Sequence, residues 1–232
     1  MKRVDLSGVD PDFETDSEKI HRLARIGLSS IPVVGSPLVE VFNSVLESPL
    51  SKRRNEIIIQ IGEVLNELIE SGVVTEEALR ENEVFISTVA QSCSIALRNH
   101  ESEKIEALKN AIKNAATPDN SAGDYSPMFL GFVDSCTTAH IQLLHVFHNP
   151  EKWFIDRGME FPITGSKGRM HSIAAAAFPA FEKEYDFYEN VWGDLCRRGF
   201  AFNNGFEDTL EREAILTRLT TPLGFRLIRF LT

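Results

Sequence analysis

Cys136 and His140 are the side chains whose types and spacing come nearest to a catalytic pair. They stand four residues apart. On one helix this spacing brings a thiol and an imidazole together, the minimum for an activated nucleophile. Both also fall on an apolar stripe, and the sequence offers no oxyanion donor or third orienting group for them. We therefore interpret them as a buried thiol and a core histidine, and we predict no catalytic residues and no enzyme activity.

Three histidines, His140, His145 and His148, lie close together in the sequence, with Glu151 beyond them. Histidine is a common metal ligand, but ligands on one helix converge only when they recur every three or four residues. His140 and His145 are five apart, and only His145 and His148 share a face. Apart from His140, interpreted above as a core histidine, we interpret these as surface or helix-end histidines, and we predict no metal site and no cofactor.

Residues 164–169, TGSKGR, place two glycines around a lysine. Glycines let backbone amides approach an anion, which suggests a phosphate-binding loop. However, the P-loop spacing GxxxxGK[ST] is absent, and no apolar strand precedes the segment. We predict a flexible connector or the tip of a hairpin.

Five arginines near the end of the chain are candidate nucleic-acid contacts: Arg197, Arg198, Arg218, Arg226 and Arg229. Arg226 and Arg229 are three apart on the last predicted helix, opposite its apolar residues, and should face outward. Residues 191–232 hold six Arg against five Asp or Glu, whereas the whole chain has a formal net charge of −10. DNA binding relies on neutralising phosphates, so the net charge disfavours DNA as a partner.

The composition is that of a folded globular protein, because 43% of the residues are hydrophobic and 25% are charged. Cys93, Cys136 and Cys196 are widely spaced and form no CxxC pair, so we expect reduced thiols in a cytoplasmic protein. The N-terminus lacks the apolar core of a secretion signal. The longest apolar segment, residues 26–46, is broken by two prolines and a glycine, and no transmembrane span is predicted.

Helices must position these residues, because apolar side chains recur with helical spacing over most of the chain. In the first half we predict a short helix at residues 17–28, then a turn and a helix that begins near Ser36–Pro37. An amphipathic helix follows Pro49 and ends at Gly72. Three more helices are expected: a short one that Thr75 caps, one at residues 81–98, and one at residues 102–116. On the last of these, Lys104, Lys109 and Lys113 are predicted to face outward.

The second half begins after a segment rich in turn residues, 117–127, which we predict to be a linker. An almost unbroken apolar stripe at residues 129–147 predicts a single helix. A short helix then opens at Pro150 and is closed by Gly158. Residues 172–199 should be helical, with a first turn or a break near Pro179.

The last forty residues predict the order helix, short strand, strand, closing helix. A helix with an apolar face ends at Gly199, the segment AILTRLTT at residues 214–221 is extended, and a helix starts at Pro222. This is the order in which a winged-helix unit ends. We therefore predict a mainly α protein with a mobile acidic tail at residues 1–16, an N-terminal helical bundle at 17–116 and a linker at 117–127. A helical unit at 128–232 then ends in a winged-helix-like two-stranded element.

Two stretches carry a family resemblance. One is ENEVFI, ALRNH and EKIEALKNAIKNA within residues 81–115, an acidic start followed by a lysine-rich helix. The other is the basic pair with Gly-Phe at residues 197–200, followed by TPLG and RFL in the last helix. Together they resemble uncharacterised bacterial helical proteins of the abortive-infection alpha type, which are linked to phage resistance. The resemblance implies a cytosolic bacterial protein with a winged-helix-like end and a role in defence or stress response, and it assigns no functional residues.

The first functional hypothesis is a non-enzymatic regulatory or protein-interaction protein that binds a protein partner or self-associates. The second is a winged-helix DNA-binding regulator. It would use the helix ending at Arg197 and Arg198 for recognition and the strands near Arg218 as a wing. The third is a membrane-acting helical effector that works through residues 26–48.

Overall fold

The chain folds as two helical units that divide between Asn99 and His100. A computed structural model describes residues 37–117 and 125–232, with side chains described from residue 52 onward except at 54 and 55. Several predicted segments lie outside the described residues. They are the tail at 1–16, the helix at 17–28, the turn after it and most of the linker. The predicted mainly α fold with a small two-stranded antiparallel sheet near the C-terminus is confirmed.

The N-terminal unit contains three described helices: α1 (Pro37–Glu70), α2 (Glu76–Glu81) and α3 (Glu83–Arg98). Helix α1 begins at Pro37 as predicted, because proline has the φ of a first helical turn and no N–H to leave unbonded. The sequence pattern predicts that a separate helix begins after Pro49, but α1 continues through this position. An interior proline removes one hydrogen bond of the helix, and the other turns of this long helix remain.

The junctions between these helices are set by capping residues. Gly72 has a φ of +72° just after α1, the left-handed conformation expected of a glycine that ends a helix. The Thr75 side chain accepts a hydrogen bond from the N–H of Ala78 (3.2 Å), and the Asn82 side chain accepts one from the N–H of Phe85 (2.9 Å). The predicted ends at Gly72 and Thr75 are confirmed.

Ser92 on α3 is buried, and its hydroxyl has no hydrogen-bond partner among the described residues. A buried polar group without a partner costs roughly 1–3 kcal/mol. We expect Ser92→Ala to raise the free energy of unfolding of the N-terminal unit by about 1 kcal/mol more than Ser94→Ala does. Both changes gain the same helix propensity, but Ser94 is exposed. Hydrogen exchange of the α3 amides measures the difference, and equal protection in the two variants would contradict it.

The C-terminal unit contains eight further described helices and two strands. They are α4 (Ser102–Ala116), α5 (Ser126–Ser135), α6 (Thr138–His148), α7 (Pro150–Ile155), β1 (Lys167–Arg169), α8 (Met170–Ala177), α9 (Tyr185–Arg197), β2 (Thr209–Glu211), α10 (Arg212–Leu216) and α11 (Pro222–Leu231). Helix α4 has its predicted bounds, but it belongs to this unit. The side-chain amides of Asn110 and Asn114 donate to the main-chain oxygens of Leu231 (3.0 Å) and Arg229 (2.9 Å). The predicted boundary at 117–127 is therefore corrected to a position before α4.

Lys104 is also corrected, because it is buried with 4% of its surface exposed. Ala107, Leu108 and Ala111 follow it at intervals of three, four and seven residues and form the buried face of α4. A lysine on this face is enclosed together with them. Lys113 is exposed, as predicted, and Lys109 is half-buried.

The two strands are not successive in the tail, which differs from the predicted order. Strand β1 precedes α8 and pairs antiparallel with β2, with Gly168 opposite Leu210. Three of the eight residues predicted to be extended, 214–216, lie in α10. Later in the same segment, Thr220 forms an isolated bridge with Ala201. The N–H of Arg212 donates to the carbonyl of Ser166 (2.8 Å), so the chain turns from β2 directly into α10. The sheet therefore spans α8 and α9 and is not a local hairpin.

Aromatic rings fill the core of the C-terminal unit. Eight phenylalanines are at most 2% exposed: Phe129, Phe132, Phe147, Phe154, Phe181, Phe200, Phe206 and Phe230. The ring centroids of Phe147 and Trp192 are 4.9 Å apart, and those of Phe181 and Phe206 are 5.1 Å apart. Tilted and edge-to-face contacts of this kind add to the stabilisation that burial provides.

The membrane hypothesis concerns residues 26–48. Residues 26–36 lie outside the described residues, and the remainder forms the first turns of α1. Within the described ranges, no helix is both long enough and apolar enough to cross a membrane.

Candidate functional site

Cys136 and His140 do not lie on one helix, so the predicted single helix at 129–147 is wrong. Cys136 caps the end of α5, and Thr137 caps the start of α6. Both residues have extended backbone conformation. The main-chain N–H of Thr137 donates to His140 Nδ1 (3.1 Å), and the Thr137 side chain accepts from the His140 N–H. This reciprocal capping restarts the helix.

The Cys136 thiol has the properties of a structural side chain. It is 4% exposed, and its Sγ donates to the carbonyl of Val133 (3.5 Å). Burial raises the pKa of Cys136 to about 11, against the smaller opposing effect of the Lys104 charge. Because the thiolate is the nucleophile of cysteine chemistry, this thiol is unreactive at neutral pH.

His140 instead joins α6 to α9 through Asp194. Its Nδ1 accepts from Thr137, so Nε2 carries the proton and faces Asp194 Oδ2 at 3.3 Å. Asp194 also accepts from Arg198 Nε at 2.7 Å. Burial alone would raise the pKa of Asp194. The hydrogen bond and charge of Arg198 outweigh this effect, together with the charges of His140 and Arg197. The pKa of Asp194 is therefore below its usual value. The network holds two helices together.

His145 and His148, the other two of the three neighbouring histidines, have different surroundings. His145 lines a groove on the unit, and His148 Nδ1 lies 2.9 Å from Thr220 Oγ1. Among the described residues, no group of three His, Cys, Asp or Glu side chains is placed to hold a metal ion. The structure therefore separates the histidines that are neighbours in the sequence.

We expect the free energy of unfolding of the C-terminal unit to fall as pH drops below about 6.5. Burial is the main cause that lowers the pKa values of His140, His145 and His148. The unfolded chain therefore binds protons at a higher pH than the folded chain, and stability is lost as pH falls from the usual histidine pKa towards the lowered ones. Urea unfolding, followed by tryptophan fluorescence at about pH 7 and about pH 5, measures this loss. The loss of stability should be smaller in His145→Gln. His100→Gln, which changes an exposed histidine, is the control and should leave the loss unchanged.

The glycine-rich segment 164–169 is neither wholly a flexible connector nor a hairpin tip, because its second half, Lys167–Arg169, is strand β1 and pairs with the distant strand β2. A Cβ on Gly168 would lie 2.5 Å from the Ile163 side chain, so this glycine allows close packing. The Lys167 ammonium pairs with Glu211 across the sheet (3.1 Å), and the Arg169 guanidinium pairs with Glu207 (3.2 Å). These basic groups are paired within the fold.

The five candidate nucleic-acid arginines are all exposed, and they fall into two groups. Arg197 and Arg198 share the Asp194 carboxylate, at 3.5 Å and 2.7 Å. Arg198 also donates to Ser135 Oγ (3.4 Å). The charges of these two arginines are therefore partly neutralised by their own helix.

Arg218, Arg226 and Arg229 lie against aromatic rings. The guanidinium carbon of Arg218 is 4.1 Å from the centroid of the Phe225 ring, and that of Arg229 is 6.0 Å from the same centroid. Arg226 lies 5.0 Å from the Tyr125 ring centroid. Within the described part of the chain, none of the three has a carboxylate within 4.0 Å. The DNA-binding hypothesis stays a prediction, and it rests on fewer free arginines than the sequence suggests.

A groove of about 840 Å³ opens on the C-terminal unit. Side chains from α4, α6, α7 and α9 line it, together with the end of α8 and the last residues of α11. Its lining includes Trp153, Phe178 and Tyr188, and the last two rings stack with centroids 5.4 Å apart. A concave site of this volume is the size that holds a small molecule or a short peptide segment.

Charges of both signs line the groove. Glu103 accepts from the Gln142 side-chain amide (3.2 Å), and the Arg157 guanidinium carbon lies 4.1 Å from the Trp153 ring centroid. Neither has an oppositely charged partner within 4.0 Å among the described residues. His145 is neutral at neutral pH, because burial and, secondarily, the Arg157 charge lower its pKa. The groove thus offers one unpaired carboxylate and one unpaired guanidinium beside aromatic surface.

The sequence pattern does not indicate this groove. Its lining residues run from Glu103 to Thr232, so only the packing of distant helices creates it. One local signal was present, since Trp153 and Arg157 are four residues apart, the spacing at which side chains meet on a helical turn.

Comparisons with protein families, with curated proteins and with solved structures gave no match to this chain. The resemblance to the abortive-infection alpha type therefore stays a prediction. The groove and the arginines of the C-terminal unit are the features from which a function can be argued.

Proposed function

We propose that this protein is a non-enzymatic regulatory protein that acts by binding a protein partner. The groove of the C-terminal unit would take a short amphipathic segment of that partner. The observation that carries this proposal is the combination of an aromatic lining with one unpaired charge of each sign. The cytoplasmic location and the role in phage defence or stress response stay predictions from the resemblance.

The chemistry of the groove selects the kind of segment. Trp153, Phe178 and Tyr188 offer apolar contact area, which supplies most of the driving force when an apolar side chain leaves water. Glu103 favours a basic side chain at one point of the segment, and Arg157 favours an acidic one at another. Charges at the edge of an apolar site fix the orientation of a ligand and exclude partners of the wrong charge.

A photo-crosslinking amino acid, benzoylphenylalanine, tests the proposal when it replaces Ala180 in the full chain. Ala180 lines the groove, and the same replacement at the exposed Lys183, three residues further on, is the matched control. After illumination in the native host, we expect one discrete adduct at Ala180 and none at Lys183. Mass spectrometry should place the crosslink on a segment with apolar residues and both charge signs.

Glu103→Lys should reduce the adduct at Ala180 by about tenfold, because it places a like charge against the basic side chain of the segment. Equal adducts at Ala180 and Lys183, no adduct at either position, or an adduct that Glu103→Lys leaves unchanged would each contradict the proposal. Hydrolase or nuclease turnover above that of mock preparations would contradict its non-enzymatic part.

A further inference from the structure

The Phe225 ring on α11 gathers three nitrogen-rich side chains from three parts of the C-terminal unit. The guanidinium carbons of Arg218 and Arg229 lie 4.1 Å and 6.0 Å from its centroid. The imidazole of His148, at the end of α6, stacks on it with centroids 5.5 Å apart and planes 20° apart. Arg229 reaches the ring from one helical turn further along α11, and Arg218 reaches it from the segment before that helix.

No carboxylate among the described residues neutralises the charges of this cluster. Within the described residues, Arg218 and Arg229 have no carboxylate within 4.0 Å, whereas Arg197 and Arg198 share Asp194. Two unpaired guanidinium groups close to one ring repel each other, and the chain as a whole carries −10. An anion bound between them would relieve this repulsion.

His148 is held in place beside them. Its Nδ1 is bonded to Thr220 Oγ1 (2.9 Å), and Thr220 is itself buried with 2% of its surface exposed. The second ring nitrogen, Nε2, forms no hydrogen bond within the described ranges. The pKa of His148 is lowered by burial and then by the charge of Arg218, so Arg218 acts on the imidazole through space.

We propose that Arg218, Arg229 and His148 form a binding site for the phosphate group of a small phosphorylated ligand. Guanidinium groups match phosphate oxygens with paired, charge-assisted hydrogen bonds. His148 Nε2 adds a further donor when the imidazole is protonated or carries its proton on that atom. Phe225 supports both guanidinium groups through cation–π contact, so they are partly ordered before the ligand arrives.

The cluster fits a single phosphate or diphosphate better than a nucleic acid. A polynucleotide is held by a run of phosphate contacts spread along its backbone. The arginines that would extend such a run, Arg197 and Arg198, are partly neutralised by Asp194. The net charge of −10 also repels a long polyanion. A small anion needs only the local cluster.

Isothermal titration of the full chain with inorganic pyrophosphate at constant ionic strength tests this site. We expect one pyrophosphate per chain, with Arg218→Gln and Arg229→Gln each weakening binding by about tenfold. Arg197→Gln is the matched control. It removes an exposed arginine of the same unit, but this arginine already has a carboxylate partner. We expect it to change the affinity by less than about twofold. Urea unfolding midpoints that match the unsubstituted chain show that each variant is folded.

No saturable binding of pyrophosphate would overturn the proposal, as would equal weakening by Arg197→Gln and Arg218→Gln. A parallel titration uses a DNA duplex of about 20 base pairs. If the duplex binds more than about tenfold tighter than pyrophosphate, and Arg218→Gln and Arg229→Gln abolish it, the site serves nucleic acid and the small-ligand proposal fails. These residues lie outside the groove lining, so either result leaves the crosslinking test of the groove independent.

Discussion

Gly224→Ala is expected to lower the free energy of unfolding of the C-terminal unit by about 3 kcal/mol. Gly224 lies in the first turn of α11, and a Cβ built on it collides with the carbonyl oxygen of Phe200, with the carbonyl carbon 2.9 Å away. The obstacle is backbone, which moves much less easily than a flexible side chain. The helix must therefore shift away from residues 199–201 or fail to dock.

The Phe200 carbonyl is fixed from several directions, which is why we expect a large effect. It accepts the N–H of Thr221 (3.0 Å), and the Thr221 hydroxyl donates to the carbonyl of Gly199 (2.5 Å). The Phe200 ring packs edge-to-face on Phe132 with centroids 4.9 Å apart. Relief of the collision would disturb the cap of α11 together with this aromatic contact.

Urea unfolding followed by tryptophan fluorescence measures the change, because Trp153 and Trp192 both lie in the C-terminal unit. Gly131→Ala is the matched control. Gly131 lies in α5, and no other described part of the chain beyond the adjacent residues and helix backbone comes within 4 Å of its built Cβ. Alanine is favoured over glycine in a helix by about 1 kcal/mol. The control should leave stability unchanged or raise it, and similar unfolding midpoints for the two variants would contradict the role of the close approach.

Helix ends in this chain were predictable where one or two residues decide them. Helix α4 has its predicted bounds, α7 starts at Pro150, and α11 starts at Pro222. Each of these starts or ends depends on local chemistry, such as the fixed φ of proline. The left-handed glycines at 72, 158 and 199 likewise stand where the pattern ends a helix.

The errors arose where a partner distant in sequence, or an unusual cap, decides the outcome. The apolar stripe at 129–147 continues across Cys136, but a Thr137–His140 capping pair divides it, with histidine in the position usually held by glutamate or glutamine. Lys104 was placed outside because lysine is rarely buried, yet the neighbours of α4 enclose it. The division of the stripe does not follow from periodicity, whereas the spacing of Lys104 from Leu108 and Ala111 does place it on the buried face of α4.

In the candidate sites, too, contacts between neighbours in the sequence were predictable and contacts between distant residues were not. Asp194 stands three and four residues before Arg197 and Arg198, so their pairing could have been predicted from helical spacing. By contrast, Phe225 meets His148 across 77 positions of sequence. The phosphate site and the groove both depend on such distant contacts, and therefore on the docking of α11 and of the loop that precedes β2.

That loop gives the second large expected effect. Phe206→Ala should lower the free energy of unfolding of the C-terminal unit by about 3–5 kcal/mol. The ring is 1% exposed although it lies outside helices and strands. Its centroid is 5.1 Å from that of Phe181 and 6.0 Å from those of Phe147 and Trp192. Truncation would leave a cavity among rings that come from three other segments.

Phe202→Ala in the same loop is the matched control, because its side chain is 47% exposed. It removes the same atoms from the same loop and should change stability by less than about 1 kcal/mol. Tryptophan fluorescence in urea again reports the difference, and Trp192 is in direct contact with the Phe206 ring. Equal losses from the two truncations would mean that the loop contributes through its backbone, since the Phe206 carbonyl accepts the N–H of His171 (2.9 Å). A much larger loss from Phe206→Ala would mean that the ring of a buried loop residue holds α6, α9 and the turn between α8 and α9 around one aromatic core.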